Sequence, residues 1–150
     1  GVSKARGILF CPDRECLVNS FSFYCKLTRG RAVGYRPIVA EWEPSVSRAT
    51  EILYKGDTQE INNPEWTEYI CEIPKDQQLK AGKDKTLVLG FWTEECTDYR
   101  SAGATLGQIP ELPLNPPIAK SVYLNGKMIG GTWRAYDSTL VTKLCFTPVE

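Results

Sequence analysis

Residues 20–27 read SFSFYCKL, and this stretch shows the cleanest alternation of side chains in the chain. Every second position from Phe21 to Leu27 is apolar, and the positions between them are serine, tyrosine and lysine. Successive side chains of a β-strand point to opposite faces of a sheet. A period of two therefore predicts a strand with one face in a core and the other face against water.

The same signals continue on both sides of this stretch. Residues 5–11, 32–42, 50–54 and 65–73 are rich in β-branched and aromatic side chains and are bounded by turn residues. Residues 86–93 (TLVLGFWT) form the most apolar run, which predicts a central strand. Further strands are expected at the C-terminal end, over the ranges 132–135 and 139–146.

Two connections have recognisable chemistry. The tip formed by residues 29–31 (RGR) predicts a hairpin that joins the strand around Phe21 to the next one. Asn125-Gly126 separates two short apolar runs, which predicts a second hairpin with a type I′ turn. Residues 101–117 contain four prolines and predict one long irregular segment.

Together these patterns predict eight to ten strands and no helix, with no internal repeat and no linker. We expect one domain over residues 1–150 that is all-β, with an antiparallel β-sandwich preferred and a barrel as the alternative. Tyr69-Ile70-Cys71 resembles the Tyr-x-Cys of immunoglobulin domains, which implies an immunoglobulin-like or related sandwich. The Asp-x-Gly that precedes this motif in the family is not found here, and no tryptophan follows Cys25 at the usual distance.

The chain has six cysteines and no histidine. No two cysteines show the Cys-x-x-Cys spacing of a zinc knuckle, so an even set favours three disulfides in a secreted or extracellular protein. The alternative is a cytosolic protein with buried free thiols, since free cysteine packs as a small hydrophobic residue. Fifteen pairings are possible, and two candidate bonds are Cys11 with Cys145 and Cys25 with Cys71. The predicted disulfide residues are Cys11, Cys16, Cys25, Cys71, Cys96 and Cys145.

Charge and composition narrow the classes of partner. Lysine plus arginine and aspartate plus glutamate each number 18, and this balance argues against a nucleic-acid partner. No apolar run approaches the ~18 residues that span a bilayer, so membrane insertion is not expected. No cofactor motif is present in the sequence, and no cofactor or metal is expected.

Catalysis is constrained by the same composition. Without histidine, neither a Ser-His-Asp triad nor a Cys-His pair can form. Two carboxylates of the kind used in glycoside hydrolysis remain an alternative, with the pairs Glu41 with Glu43 and Glu94 with Glu95 as candidates. The preferred prediction is that the chain is not an enzyme.

Binding residues are better represented. Aromatic residues and arginine are typical anchors of protein interfaces. Four features are therefore candidates for binding a partner. They are the aromatic stretch near residue 133, one strand tryptophan, the basic hairpin tip with Lys26, and the apolar positions of the proline-rich loop. The candidate binding residues are Trp133, Arg134, Tyr136, Trp66, Arg29, Arg31, Arg36, Leu112 and Leu114. Large aromatics also fill cores, and that interpretation is preferred for Trp42, Trp92 and Trp133 taken one at a time.

The sequence thus predicts an extracellular recognition module that binds a protein partner through a loop or a sheet face. The alternatives are a carbohydrate-binding module, then a small secreted glycoside hydrolase or a lipid carrier.

Overall fold

The computed structural model describes residues 4–93, 102–110, 119–125, 128–129, 131–135, 138–140 and 142–149. In this part of the chain the structure is all-β, with one 3-10 helix at Lys75–Gln77. The strands are β1 (Ala5–Phe10), β2 (Cys16–Arg29), β3 (Val33–Glu43), β4 (Arg48–Lys55), β5 (Gln59–Ile61), β6 (Thr67–Glu72), β7 (Leu79–Ala81), β8 (Thr86–Trp92), β9 (Gly103–Leu106), β10 (Gln108–Pro110), β11 (Ala119–Asn125), β12 (Thr132–Ala135), β13 (Ser138–Leu140) and β14 (Leu144–Pro148). None of the helices in these residues is long and apolar enough to cross a membrane.

The strands form two main antiparallel sheets. The large sheet has the order β12-β11-β1-β8-β3-β4, and β5 also pairs with β3. The small sheet has the order β14-β2-β6, and β7 and β9 also pair with β2. A separate ribbon consists of β10 and β13. The antiparallel all-β prediction is therefore confirmed.

The inner faces of the two sheets pack against each other in one apolar cluster. The inward positions of β2, with Phe21, Phe23 and Cys25, meet the inward positions of β8. The ring of Phe23 lies edge-on to that of Phe91, with 5.5 Å between the centroids. The prediction from residues 20–27 is confirmed, because the apolar residues of that alternation are the ones that fill this cluster. Two sheets packed in this way are consistent with the predicted sandwich.

A second apolar cluster covers the other face of the large sheet. Its members include Trp42 and Trp133, whose ring centroids lie 6.0 Å apart. These tryptophans belong to β3 and β12, which the sheet order separates by three strands. Neighbouring strands lie about 4.8 Å apart, so a flat sheet would hold the two backbones far beyond this contact. The large sheet is therefore strongly rolled around its second cluster.

Two features permit this roll. Gly7 and Gly90 lie opposite each other in β1 and β8. A Cβ atom at Gly90 would lie 2.2 Å from the carbonyl oxygen of Arg6, so only glycine allows the two backbones this approach. In addition, the pairing of β3 with β4 shifts register twice, and such bulges bend and twist an edge strand.

The barrel alternative is wrong. In the described residues β4 and β12, the two ends of the large sheet, lie near each other but share no ladder. The sheet therefore rolls without closing.

Three local predictions are also corrected. β2 and β3 do not form a hairpin, because β2 pairs within the small sheet and β3 within the large sheet. β11 does pair with β12, but Asn125 lies opposite Thr132, so the return strand begins later than a two-residue Asn-Gly turn requires. The segment predicted to be irregular contains two short strands, β9 and β10.

The disulfide prediction is wrong for the five cysteines that the structure describes, all of which are free thiols: Cys11, Cys16, Cys25, Cys71 and Cys145. Cys96 lies outside the described residues. In the pairing of β2 with β6, Cys71 lies opposite Phe21 and Cys25 opposite Thr67. This separates the two cysteines by four residues, or about 13 Å along the strand. A disulfide needs Cα atoms within about 7 Å, so this pair cannot bond.

The other candidate pair, Cys11 with Cys145, is not bonded either. Cys145 lies opposite Ser20 on the exposed side of the small sheet. Cys11 follows β1 of the large sheet, and its Sγ points to the carbonyl oxygen of Gly82 at 3.7 Å. Both are free thiols, although the adjoining residues Phe10 and Phe146 pack their rings against each other with 5.5 Å between the centroids.

Candidate interaction surface

The face of the small sheet that points away from the large sheet carries a row of exposed apolar side chains. We call this face the outer face of the small sheet. Tyr24 on β2 is 39% exposed, Ile70 on β6 is 53% exposed, and Trp66, directly before β6, is 49% exposed. These are three of the six large hydrophobic side chains that are most exposed in the described residues.

Register explains why the three side chains are neighbours. Tyr24 lies opposite Glu68, and Ile70 lies opposite Ser22, so Tyr24 and Ile70 are diagonal neighbours across two strands. Diagonal pairs are within reach of aromatic and long side chains. At the end of the row, the Nζ atom of Lys26 lies 4.9 Å from the centroid of the Trp66 ring. Because Lys26 follows Tyr24 by two residues on the same face of β2, this contact places Trp66 on the Tyr24 side of the face, and the three side chains form one row.

The other exposed apolar residues form no such patch. Val46 lies in the turn between β3 and β4, and Ile129 lies in the turn before β12. Phe146 packs its ring against that of Phe10 at 5.5 Å. Single exposed apolar residues of this kind are normal on protein surfaces.

A buried hydroxyl fixes the polar residues of the row. Ser22 is only 2% exposed although it lies on the outer face. Its Oγ donates a hydrogen bond to Oε2 of Glu68 at 2.8 Å and accepts one from the backbone N–H of Lys143 at 3.1 Å. The Glu68 carboxylate is therefore held in place between Tyr24 and Ile70.

A polar groove continues the outer face beyond Ile70. It is lined by Asn19, Ser20, Glu72, Lys75 and Gln78, among others. Asn19 Nδ2 donates to Gln78 Oε1 at 2.8 Å, and Gln78 Nε2 donates to the carbonyl oxygen of Ile73 at 3.2 Å. These bonds order the amides of the groove against the end of β6.

The predicted aromatic binding residues divide between core and surface. Trp66 is exposed, as expected for the face of its strand opposite Cys71. Trp133 is only 6% exposed, because it lies in the second cluster, and its side chain has no surface to offer. Arg134, the next residue, is exposed. Tyr136 lies outside the described residues, as do Leu112 and Leu114.

The predicted basic tip is not one patch. Arg29 and Arg31 are exposed where the chain crosses from the small sheet to the large sheet. The guanidinium of Arg29 donates to the carbonyl oxygen of Ala102 at 3.2 Å. Arg36 lies in β3, and its Nε donates to the carbonyl oxygen of Gly56 at 2.8 Å. The residues of the tip are therefore spread over both sheets, and only Lys26 lies in the outer-face row.

The candidate carboxylate pair shows no sign of general-acid chemistry. Hydrogen bonds from the backbone and then the side chain of Ser45 hold the pKa of Glu43 below its ordinary value, whereas a general acid needs a raised pKa. Glu41 lies opposite Glu51. Glu94 and Glu95 lie outside the described residues.

Among the residues that the structure describes, the space between the sheets near Phe23 is small. Near Phe23, Tyr35 and Tyr69 a cavity leaves about 10 Å³ for the centre of a water-sized sphere, which is room for about one water molecule. This cavity does not fit the chain of a lipid. In the residues that the structure covers, no group of three or more histidine, cysteine, aspartate or glutamate side chains lies close enough to hold a metal ion.

Sequence reasoning named Trp66 but missed Tyr24, Ile70 and Glu68. The signal was present in the alternation itself. Tyr24 and Ile70 are large residues at the outward positions of strands whose inward positions are also apolar. Comparisons of the chain with protein-family models, with curated proteins and with solved structures find no match in any of the three.

Proposed function

We propose that this protein is a recognition domain that binds another protein through the outer face of its small sheet. The observation that carries the proposal is the contiguous exposed row of Tyr24, Trp66 and Ile70. Contiguous apolar patches with polar surroundings mark interaction sites more often than scattered residues do. Aromatic side chains are the usual anchors of such sites, and they lose little conformational entropy on binding.

The chemistry of the row favours a protein over a sugar. Sugar rings stack on flat aromatic faces, and Ile70, the most exposed member, offers no such face. A branched aliphatic side chain beside an aromatic ring and a fixed carboxylate fits a partner with both apolar and cationic groups. The Ser22–Glu68 hydrogen bond supports this reading, because a preorganised carboxylate loses little freedom when it pairs with a cation.

Carbohydrate binding is the second candidate, and the polar groove favours it. Asn19, Glu72 and Gln78 offer amide and carboxylate groups beside the row, and Trp66 offers a flat ring at the opposite end. In this arrangement a long glycan would be needed to reach both ends of the face.

A secreted or extracellular location and the absence of catalysis belong to the same proposal. The lack of histidine supports binding without catalysis. The location rests on the number of cysteines alone, since the five described cysteines form no disulfide, and the buried thiols of Cys25 and Cys71 would be shielded from oxidants there. Exposed Cys145 would be the first of the described thiols to react.

The intact mass of the protein isolated from its natural source tests the location. A mixed disulfide on Cys145 agrees with an oxidising compartment, whereas unmodified thiols throughout contradict it.

The partner class is tested by screening the labelled protein against a panel of extracellular proteins and a glycan array. Each hit is then measured with Trp66→Ala, Tyr24→Ser and Ile70→Thr. Val46→Thr is the matched control, because Val46 is 50% exposed but lies away from the outer face of the small sheet.

We expect protein hits that the three outer-face variants weaken at least about tenfold, or about 1.4 kcal/mol each, and that the control leaves unchanged. Hits on glycans that depend on Trp66 would move carbohydrate binding to first place. Protein hits that are insensitive to all three outer-face variants would contradict the proposed surface.

A further inference from the structure

β6 lies at the edge of the small sheet. In the sheet order it pairs only with β2 on one side, and no described strand pairs with its other side. Backbone bonds fix the direction of its polar groups. Ile73 donates to the carbonyl oxygen of Asn19 on β2, whereas Ser22 and Tyr24 of β2 bond to the opposite neighbours, Lys143 and Gly107.

The backbone groups of even-numbered β2 residues therefore point away from β6, and those of odd-numbered β2 residues point toward it. Odd-numbered β2 residues lie opposite odd-numbered β6 residues, so the odd-numbered residues of β6 bond to β2 and the even-numbered ones direct their N–H and C=O groups away from it. The N–H and C=O groups of Glu68, Ile70 and Glu72 thus line the open edge. The register with β2 is continuous over all six residues of β6, and the strand contains no proline. Of the features that usually blunt a sheet edge, β6 has no proline, no bulge and no inward charge, and its two charged residues, Glu68 and Glu72, lie on the outer face.

The side chains at this edge disfavour pairing with the β6 strand of a second copy of the protein. If two copies of β6 paired antiparallel about Ile70, Glu68 of one copy would lie opposite Glu72 of the other. Like charges that are directly opposite across two strands are destabilising. The same two carboxylates favour a strand with a basic residue at each of these positions and an apolar residue between them.

We propose that β6 accepts an extended segment of the partner as an additional strand, with basic residues opposite Glu68 and Glu72 and an apolar residue opposite Ile70. This inference rests on the proposed function and names the chemistry of the partner segment. Main-chain hydrogen bonds to the open edge would supply affinity, and the alternate side chains would supply specificity.

A synthetic peptide of seven residues tests the inference directly. It has lysine at its second and sixth positions, valine at its fourth and threonine elsewhere, and the comparison peptide has glutamate in place of lysine. Amide hydrogen exchange of the intact protein is followed by NMR at Glu68, Ile70 and Glu72. We expect the lysine peptide to slow exchange at these three amides together, and the glutamate peptide to bind at least about fivefold more weakly.

Two variants separate the backbone from the side chain at one position. Glu72→Pro removes an N–H that points away from β2, so the β2–β6 ladder keeps its bonds, whereas Glu72→Ala removes only the carboxylate. We expect both to weaken the lysine peptide, Glu72→Pro more than Glu72→Ala. A denaturation curve for each variant confirms that the fold is intact, and Ile70→Pro supplies the same backbone test at the centre of the edge.

The outcomes distinguish this inference from the proposed function. If the lysine peptide binds and contacts Trp66 and Tyr24 but leaves the three amides unprotected, strand addition is wrong and binding by the outer face stands. If the amides are protected and binding survives Trp66→Ala and Tyr24→Ser, the edge is the site and the proposed face is wrong. Absence of binding by the lysine peptide at about 1 mM, or equal binding by both peptides, overturns the inference.

Discussion

The outward faces of the two sheets carry tryptophan in opposite settings. On the large sheet, Trp42, Trp92 and Trp133 lie in a second apolar cluster and are at most 9% exposed, because the sheet rolls around them. On the small sheet, Trp66 is 49% exposed in a row with Tyr24 and Ile70. The same residue type therefore stabilises the fold in one region and is available to a partner in the other. Amino-acid composition does not distinguish the buried tryptophans from the exposed one, whereas the curvature of each sheet does.

The largest difference between the two regions is expected when one tryptophan is removed from each. Trp133→Ala should lower the free energy of unfolding by about 3–5 kcal/mol, since it removes a buried ring and its contact with Trp42. Trp66→Ala should lower it by less than about 1 kcal/mol, since the ring is half exposed. Urea denaturation of both variants measures the difference, and equal losses would show that the two faces are not different in kind.

A second test addresses the roll itself. Gly90→Ala should destabilise the protein by about 1–3 kcal/mol or more, because its Cβ would lie 2.2 Å from a backbone oxygen that cannot move independently. Gly82→Ala is the matched control, since the nearest atom to its Cβ would be Glu15 Cα at 3.5 Å, an ordinary contact. Thermal denaturation that ranks the two variants equally would contradict the close approach of β1 and β8.

A third test concerns the thiols between the sheets. Burial raises the pKa of Cys25 and of Cys71 to about 12. In the unfolded chain a thiol has a pKa of about 8.5. Between these values the folded protein holds more protons than the unfolded chain, so the free energy of unfolding falls as pH rises. The expected slope is about 1.4 kcal/mol per pH unit for each thiol, between roughly pH 9 and pH 12.

Cys25→Ala and Cys71→Ala should each remove one share of this slope. Urea denaturation under reducing conditions at several alkaline pH values measures it. Burial, followed by the charges of Cys25 and Cys71, also raises the pKa of Tyr35, so a residual fall at the highest pH is expected in both variants. An identical slope in the wild type and both variants would show that the thiols ionise freely in the folded state.

The smallest expected effect lies on the exposed row. Lys26→Met keeps an unbranched side chain one atom shorter but removes the ammonium group that lies over Trp66. An exposed cation–π contact is worth about 0.5–1 kcal/mol, so the free energy of unfolding should fall by no more than that. The fluorescence of Trp66 should change in the same variant, measured against Lys83→Met as a control on a distant exposed lysine. A loss well above 1 kcal/mol would show that the row is part of the stabilising core.

Sequence reasoning predicted the elements better than their arrangement. The strands around Phe21 and Cys71 and their inward faces were correct, because a period of two is a local property of the chain. The hairpin between β2 and β3 and the disulfide between Cys25 and Cys71 were wrong, because each depends on which strands pair and in what register. The candidate site was half predicted: Trp66 lies on the surface, whereas Trp133, Arg36 and the arginines near residue 30 do not join it.

The amino-acid sequence by itself determined that this protein is built from antiparallel strands, and which side of each main strand is apolar. These properties follow from alternation, β-branched content and turn residues, all of which act between near neighbours. The tertiary structure alone decided that three tryptophans are enclosed by a rolled sheet, that five cysteines stay apart as thiols, and that β6 presents an open edge beside Tyr24 and Trp66. The reason is physical: register, curvature and edge position arise from contacts between residues far apart in the chain, and the pattern of any one segment does not contain them.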